Sequence, residues 1–196
     1  MADANLKSCV LCDKSGARAC SKCHSINYCS KACQLSDWNI HKQLCSTFAT
    51  FDNSSRPSDQ HTRAILFPVE DTKPQLVWVP WKWEDDDGIK WHCTDTSSFL
   101  KLDKKHPCQS RSVVHYNPIL QRALDDQIII TYRDEFLYDG SKVNMSIANA
   151  SCGKSSKDLH WRGPVIAYGK KGQSDIFCRD LGMEDFRHII DFLRSY

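Results

Sequence analysis

No stretch of this 196-residue chain approaches the roughly 20 consecutive apolar residues that a membrane helix requires. Its first seven residues, Met1 to Lys7, hold no apolar segment of the kind found in a secretory leader. A strong net charge is missing too: 26 basic residues face 24 acidic ones and leave +2. That balance argues against direct nucleic-acid binding, which rests on basic surfaces. No internal repeat stands out. Hydrophobic content of 41% is ordinary for a globular protein. The expectation from these absences is a nuclear or cytoplasmic protein with no membrane contact.

Cysteine departs from the ordinary. There are 11, and seven fall before residue 46. In a reducing compartment, crowded cysteines point to metal ligands and away from disulfides. The spacing is Cys9-x2-Cys12, Cys20-x2-Cys23, Cys29-x3-Cys33 and His41-x3-Cys45. Eight ligands suffice for two tetrahedral zinc sites, and thiolate-rich donor sets select zinc over magnesium or calcium. In the x2 pairs a tight turn points both thiolates at one ion. In the x3 pairs, i and i+4 share one face of a helical turn. With every position filled by protein, neither zinc keeps an open site, so both are expected to be structural.

The metal is also expected to drive folding, since a segment of about 40 residues rarely builds a sufficient core. Roughly 10–16 kcal/mol per structural zinc would appear as folding free energy. The pairs can combine in sequence, as two beads, or interleaved, as one unit. Spacing alone leaves both open.

Together with Tyr28, Gln34 and Asp37-Trp38, this ligand pattern closely resembles the MYND-type zinc finger over residues 9–45. The resemblance implies interleaved pairing, with Cys9, Cys12, Cys29 and Cys33 at one Zn2+ and Cys20, Cys23, His41 and Cys45 at the other. It implies a small cross-braced two-zinc finger with a hairpin and two short helices. It further implies a protein partner with a proline-containing peptide motif, held at Ser21, Gln34 and Trp38. A docking module that acts as a regulator, and not an enzyme, is the function expected.

Residues 1–46 read as the finger, 47–63 as a polar linker and 64–196 as an α+β domain of unknown role. In that last region Gln75–Val79 alternates as a strand. Trp81, Trp83 and then Ile89, Trp91, Cys93 flank Asp85-Asp86-Asp87-Gly88 as a hairpin. Further strands are expected at Ser112–Tyr116, Gln127–Tyr132 and Pro164–Tyr168. Positions 183, 186, 189, 190 and 193 form one helical stripe. Trp161-Arg162-Gly163-Pro164 and Asp185-Phe186-Arg187-His188 are similar to C-terminal regions of uncharacterised fungal MYND proteins.

Other readings are weaker. Cys20-Ser21-Lys22-Cys23-His24 fits a haem-attachment pattern, but haem would leave six ligands without purpose. His92-Cys93 and His106-Pro107-Cys108 lack metal spacing, and the hairpin tryptophans are expected in the core. The finger's excess of three positive charges is cancelled once seven thiolates bind two zinc ions. A SET-and-MYND-like lysine methyltransferase is the alternative function. Its support is two fragments, Asn149–Cys152 and Glu135–Gly140, which run in the wrong order and lack the expected histidine. A RING-type ubiquitin-ligase finger fits less well, because the last two pairs carry x3 spacing.

Overall fold

The structure is a computed structural model that describes residues 7–153, 160–174 and 176–195. Strands β1 (Arg18–Ala19) and β2 (Asn27–Tyr28) pair antiparallel as a short hairpin. Helix α1 (Lys31–His41) starts at Ser30, whose hydroxyl accepts a hydrogen bond from the Cys33 N–H at 3.2 Å. The helix breaks after His41 and restarts as α2 (Cys45–Thr50). His41 and Cys45 therefore close one helix and open the next, where the spacing had suggested a single turn. A small hairpin and two short helices are what the MYND resemblance implies.

The rest is an α+β unit. In chain order it comprises β3 (His61–Phe67), β4 (Gln75–Asp86), β5 (Ile89–Thr94), α3 (Ser97–Leu100) and β6 (Gln109–Asn117). Next come β7 (Arg122–Arg133), α4 (Met145–Ala150), β8 (Val165–Lys170), β9 (Cys178–Arg179) and α5 (Met183–Ser195). The strands form one antiparallel sheet in the order β5-β4-β3-β8-β7-β6, with β9 paired to β8. The strand expected at Gln75–Val79 and the first hairpin arm are one continuous strand. Pro80, which has no N–H to donate, lies where β4 stops pairing with β3 and takes up β5. Asp87 and Gly88 both carry positive φ, as a two-residue Asp-Gly hairpin turn demands.

Period-2 alternation splits the apolar residues between two faces. Ile65, Phe67, Ile128, Ile130, Val165 and Ala167 lie on one face under α5, with Phe186, Ile189, Ile190 and Leu193. Ala64, Ile129, Ile166 and Tyr168 lie on the other with Leu100 of α3. Helix α5 places Glu184 and Asp185 in its first turn and Arg194 in its last, which suits the helix dipole.

Finger and sheet share one core. Val10, Ile26, Tyr28, Ile40 and Leu44 belong to the same buried cluster as the α5 and sheet residues. The stretch read as a polar linker differs from that reading. It holds most of α2, a 3-10 turn at Asn53–Ser55 and the start of β3. Its Phe48 and Phe51 lie beneath the Arg63 guanidinium, and Arg56 stacks over Trp78 at 4.2 Å while pairing with Asp180 at 2.5 Å. Cation–π contacts of this kind anchor a polar-looking segment. The hairpin tryptophans also depart from expectation: Trp78, Trp81 and Trp91 are only half-buried, and Trp83 is 50% exposed and stands edge-on to Trp81 and Phe177.

Candidate metal centre and docking face

Two clusters bring eight ligand atoms together. The donor atoms of Cys9, Cys12, Cys29 and Cys33 lie within 4.8 Å of one another, and so do those of Cys20, Cys23, His41 and Cys45. Among the described residues these two groups alone meet that standard. The pairing is interleaved, so each site takes one pair from the knuckle loops and one from the helical segment.

The distances fit zinc. Tetrahedral Zn–S bonds near 2.3 Å place sulfur atoms about 3.8 Å apart, and a Zn–N bond near 2.05 Å places S and N about 3.6 Å apart. The observed separations are 3.4 Å for Cys12–Cys29, 3.6 Å for Cys29–Cys33 and 4.0 Å for Cys12–Cys33. In the second site Cys20–Cys45 is 3.9 Å, and Cys23 Sγ lies 3.5 Å from His41 Nε2.

Electrostatics agree. Burial and then the neighbouring Cys23 and Cys20 push the Cys45 thiol up to about 12. Clustered thiols of this kind resist ionising together unless a cation shares the space. Burial also raises the Cys9 thiol, but N–H groups of Cys29, Cys12 and Leu11 outweigh it and bring Cys9 down to about 6. Burial lowers His41, with Asp37 opposing in part, which favours the neutral imidazole that metals bind.

The set of closed tetrads on a hairpin and two helices defines a cross-braced, two-zinc interaction module with no open coordination position. More particularly, residues 9–45 match the MYND finger family and are a MYND finger. The chain is 44% identical over 76 residues to Ubiquitin carboxyl-terminal hydrolase 19 of Arabidopsis thaliana, covering 37% of this chain and 11% of that protein. It is 33% identical over 101 residues to SET domain and MYND-type zinc finger protein 6 of Schizosaccharomyces pombe, 44% of this chain and 21% of that one. N-lysine methyltransferase SMYD2 of Rattus norvegicus is 35% identical over 51 residues, 26% of this chain and 12% of that enzyme. The chain thus spans a small part of each of these relatives. No solved structure matches it.

Helix α1 has two unlike faces. Asp37, Ile40 and His41 are buried toward α5 and the second tetrad. Trp38 is 45% exposed and Leu35 62% exposed, three residues apart on the outer side. The Trp38 ring meets the His41 ring edge-on at 5.7 Å, so its position is set by a metal ligand. Gln34 is half-buried one turn before Trp38, and Ser21 is exposed in the second knuckle. Leu35 was not singled out in the sequence. Its signal there is a large aliphatic at i−3 from a tryptophan, off the face that carries Ile40.

Residues outside the finger hold it in place. Arg122 donates to the Val10 carbonyl at 2.7 Å and reaches the Cys9 carbonyl and Asp13 at 3.4 Å. Ser25 Oγ accepts the Met183 N–H at 3.1 Å, so the finger supplies a cap to α5, and Asn27 donates to Glu184 at 2.9 Å. A cleft of about 760 Å³ runs along this junction. Its charges are largely spent on one another, as Arg179 pairs with Asp126 and Asp185, each at 2.7 Å. His24 sits in a turn with positive φ, which fits an exposed turn residue.

Proposed function

We propose that the chain is a non-enzymatic regulatory adaptor of the nucleus or cytoplasm, whose finger docks short proline-containing peptides of a protein partner. The observation that carries this reading is the outward face of α1. A large aromatic and a large aliphatic stand exposed there, on a helix whose opposite face is fixed by zinc ligands and by α5. Rigid, half-exposed aromatics are typical anchors of binding surfaces. In this reading the Trp38 ring packs on a proline or leucine, Leu35 extends the apolar strip, and Gln34 and Ser21 bond the peptide backbone. Two closed metal sites supply no reactive water, in keeping with docking and not catalysis.

The test is titration of a P-x-L-x-P-type peptide into the full chain and into Trp38→Ala, with zinc measured in both. Truncating such an anchor costs about 2 kcal/mol, so affinity falls about thirtyfold while zinc content stays unchanged. Equal binding by both proteins, or none by either, removes the reading.

Matches to SET-containing relatives favour a second reading, a protein lysine methyltransferase. The match to the rat enzyme is little longer than the finger itself. Of the two fragments that suggested it, Asn149 is tied to the Thr72 carbonyl at 3.1 Å and Tyr138 faces solvent. Incubation with S-adenosylmethionine and lysate proteins gives methylation above background only under this second reading.

A further inference from the structure

The second zinc site is connected to the C-terminal unit by an unbroken line of buried polar groups. His41 Nε2 faces Cys23 in the tetrad, while its Nδ1 lies 2.8 Å from the Tyr28 hydroxyl. Tyr28 donates to Asp37 Oδ2 at 2.5 Å. Arg187 of α5 donates to Asp37 Oδ1 at 2.8 Å and to Asp191 Oδ2 at 2.8 Å. Asp191 in turn accepts from Asn117 of β6 at 2.9 Å. Asp37 is 1% exposed and Asp191 is fully buried.

The proton positions along this line follow from charge. A carboxylate can only accept, so the Tyr28 proton points to Asp37. The Tyr28 oxygen is then the acceptor for His41, which requires the proton on Nδ1. That leaves the Nε2 lone pair facing the tetrad, the tautomer a metal at that site needs. The short Tyr28–Asp37 contact at 2.5 Å and the 2.8 Å approach of His41 Nδ1 to the same oxygen fix the direction of the line. Arg187 is the ion-pair partner of the buried Asp37 carboxylate, and removing one partner of such a pair leaves an uncompensated charge.

We propose that Arg187 is a positioning residue for the second zinc: through Asp37 and Tyr28 it sets the orientation and tautomer of His41, and so makes this site's affinity depend on the C-terminal unit. Among the described residues the first site has no such line. Arg122, which approaches it from the sheet, bonds the backbone carbonyl of Cys9. The two zinc ions therefore differ in what holds them, although both sit in closed tetrads. Groups that hydrogen-bond the other ring nitrogen of a metal-bound histidine are worth about 10- to 100-fold in metal affinity. Loss of this one falls on a single zinc.

The experiment follows zinc release from the full chain into a colorimetric chelator for wild type, Arg187→Met and Tyr28→Phe. Cobalt substitution identifies the sites, since four-sulfur and three-sulfur-one-nitrogen sites absorb differently. Both variants are expected to release one zinc about 10- to 100-fold more readily, from the histidine-containing site, with the other at the wild-type rate. Tyr28→Phe leaves the Arg187–Asp37 ion pair intact, so its selectivity separates positioning of His41 from simple adhesion of the two units. Nitrogen NMR of His41 in the zinc-loaded wild type gives a third readout that needs no variant, and the proton is expected on Nδ1. Equal acceleration at both sites, wild-type release from a folded Tyr28→Phe, or coordination through Nδ1 would each overturn the proposal.

Discussion

Single residues at the junction carry more than their share of the fold. Asp37 and Arg187 form a buried ion pair at 2.8 Å, and breaking such a pair from one side typically costs about 3–5 kcal/mol. His188, one residue further along α5, is buried and bonded through Nδ1 to Asn117 at 2.9 Å. Burial first, and then the nearby Arg122, bring it from 6.5 down to about 4, with Arg187 adding and Asp185 and Asp191 opposing. The unfolded chain takes up this proton near 6.5 and the folded chain near 4, so stability present above 6.5 is lost as pH falls between those values. The loss amounts to at most about 3 kcal/mol. Urea unfolding with zinc present, compared at pH 7 and 5.5, should show a smaller decrease for His188→Gln than for wild type. An identical decrease would place the acid sensitivity elsewhere.

At the scale of elements, the finger and α5 support each other. Ser25 caps the first turn of α5, and α5 covers the buried face of α1. Phe186, fully buried and stacked on Phe67 at 6.3 Å, should cost about 3–5 kcal/mol when cut to alanine, read as a shift in denaturant midpoint. Native mass spectrometry should find two zinc ions per chain, released on acidification as the thiolates take up protons. A single zinc would contradict the two tetrads. Elements whose cause is local were legible in the sequence: the knuckle spacings, the Asp-Gly hairpin and the apolar stripe of α5. The interleaved pairing was open in the spacing, because it depends on β2 and α1 folding back over the knuckles. The roles of Ser25 and Arg122, and the bond from Arg187 to Asp37, had no local pattern, since each joins residues more than 100 positions apart. The stretch 47–63 read as linker because its anchors are aromatic rings under arginines, which hydropathy does not register.

As a whole molecule, the chain joins a metal-dependent module to a sheet through one continuous core. Stripping zinc should therefore lower the melting midpoint of the entire chain in one cooperative transition. Two separate transitions, the sheet melting at its original temperature, would mean that the core is not shared in solution. The same architecture gives the finger one face held by α5 and one face free, and the free face is where a partner is expected to dock. Amide NMR of the nitrogen-labelled, zinc-loaded full chain, titrated with a P-x-L-x-P-type peptide, tests that most directly. Saturable shifts should gather at Ser21, Gln34, Leu35 and Trp38, with the indole N–H of Trp38 moving and resonances of α5 unchanged. Shifts centred on another surface, or none up to millimolar peptide, would contradict it.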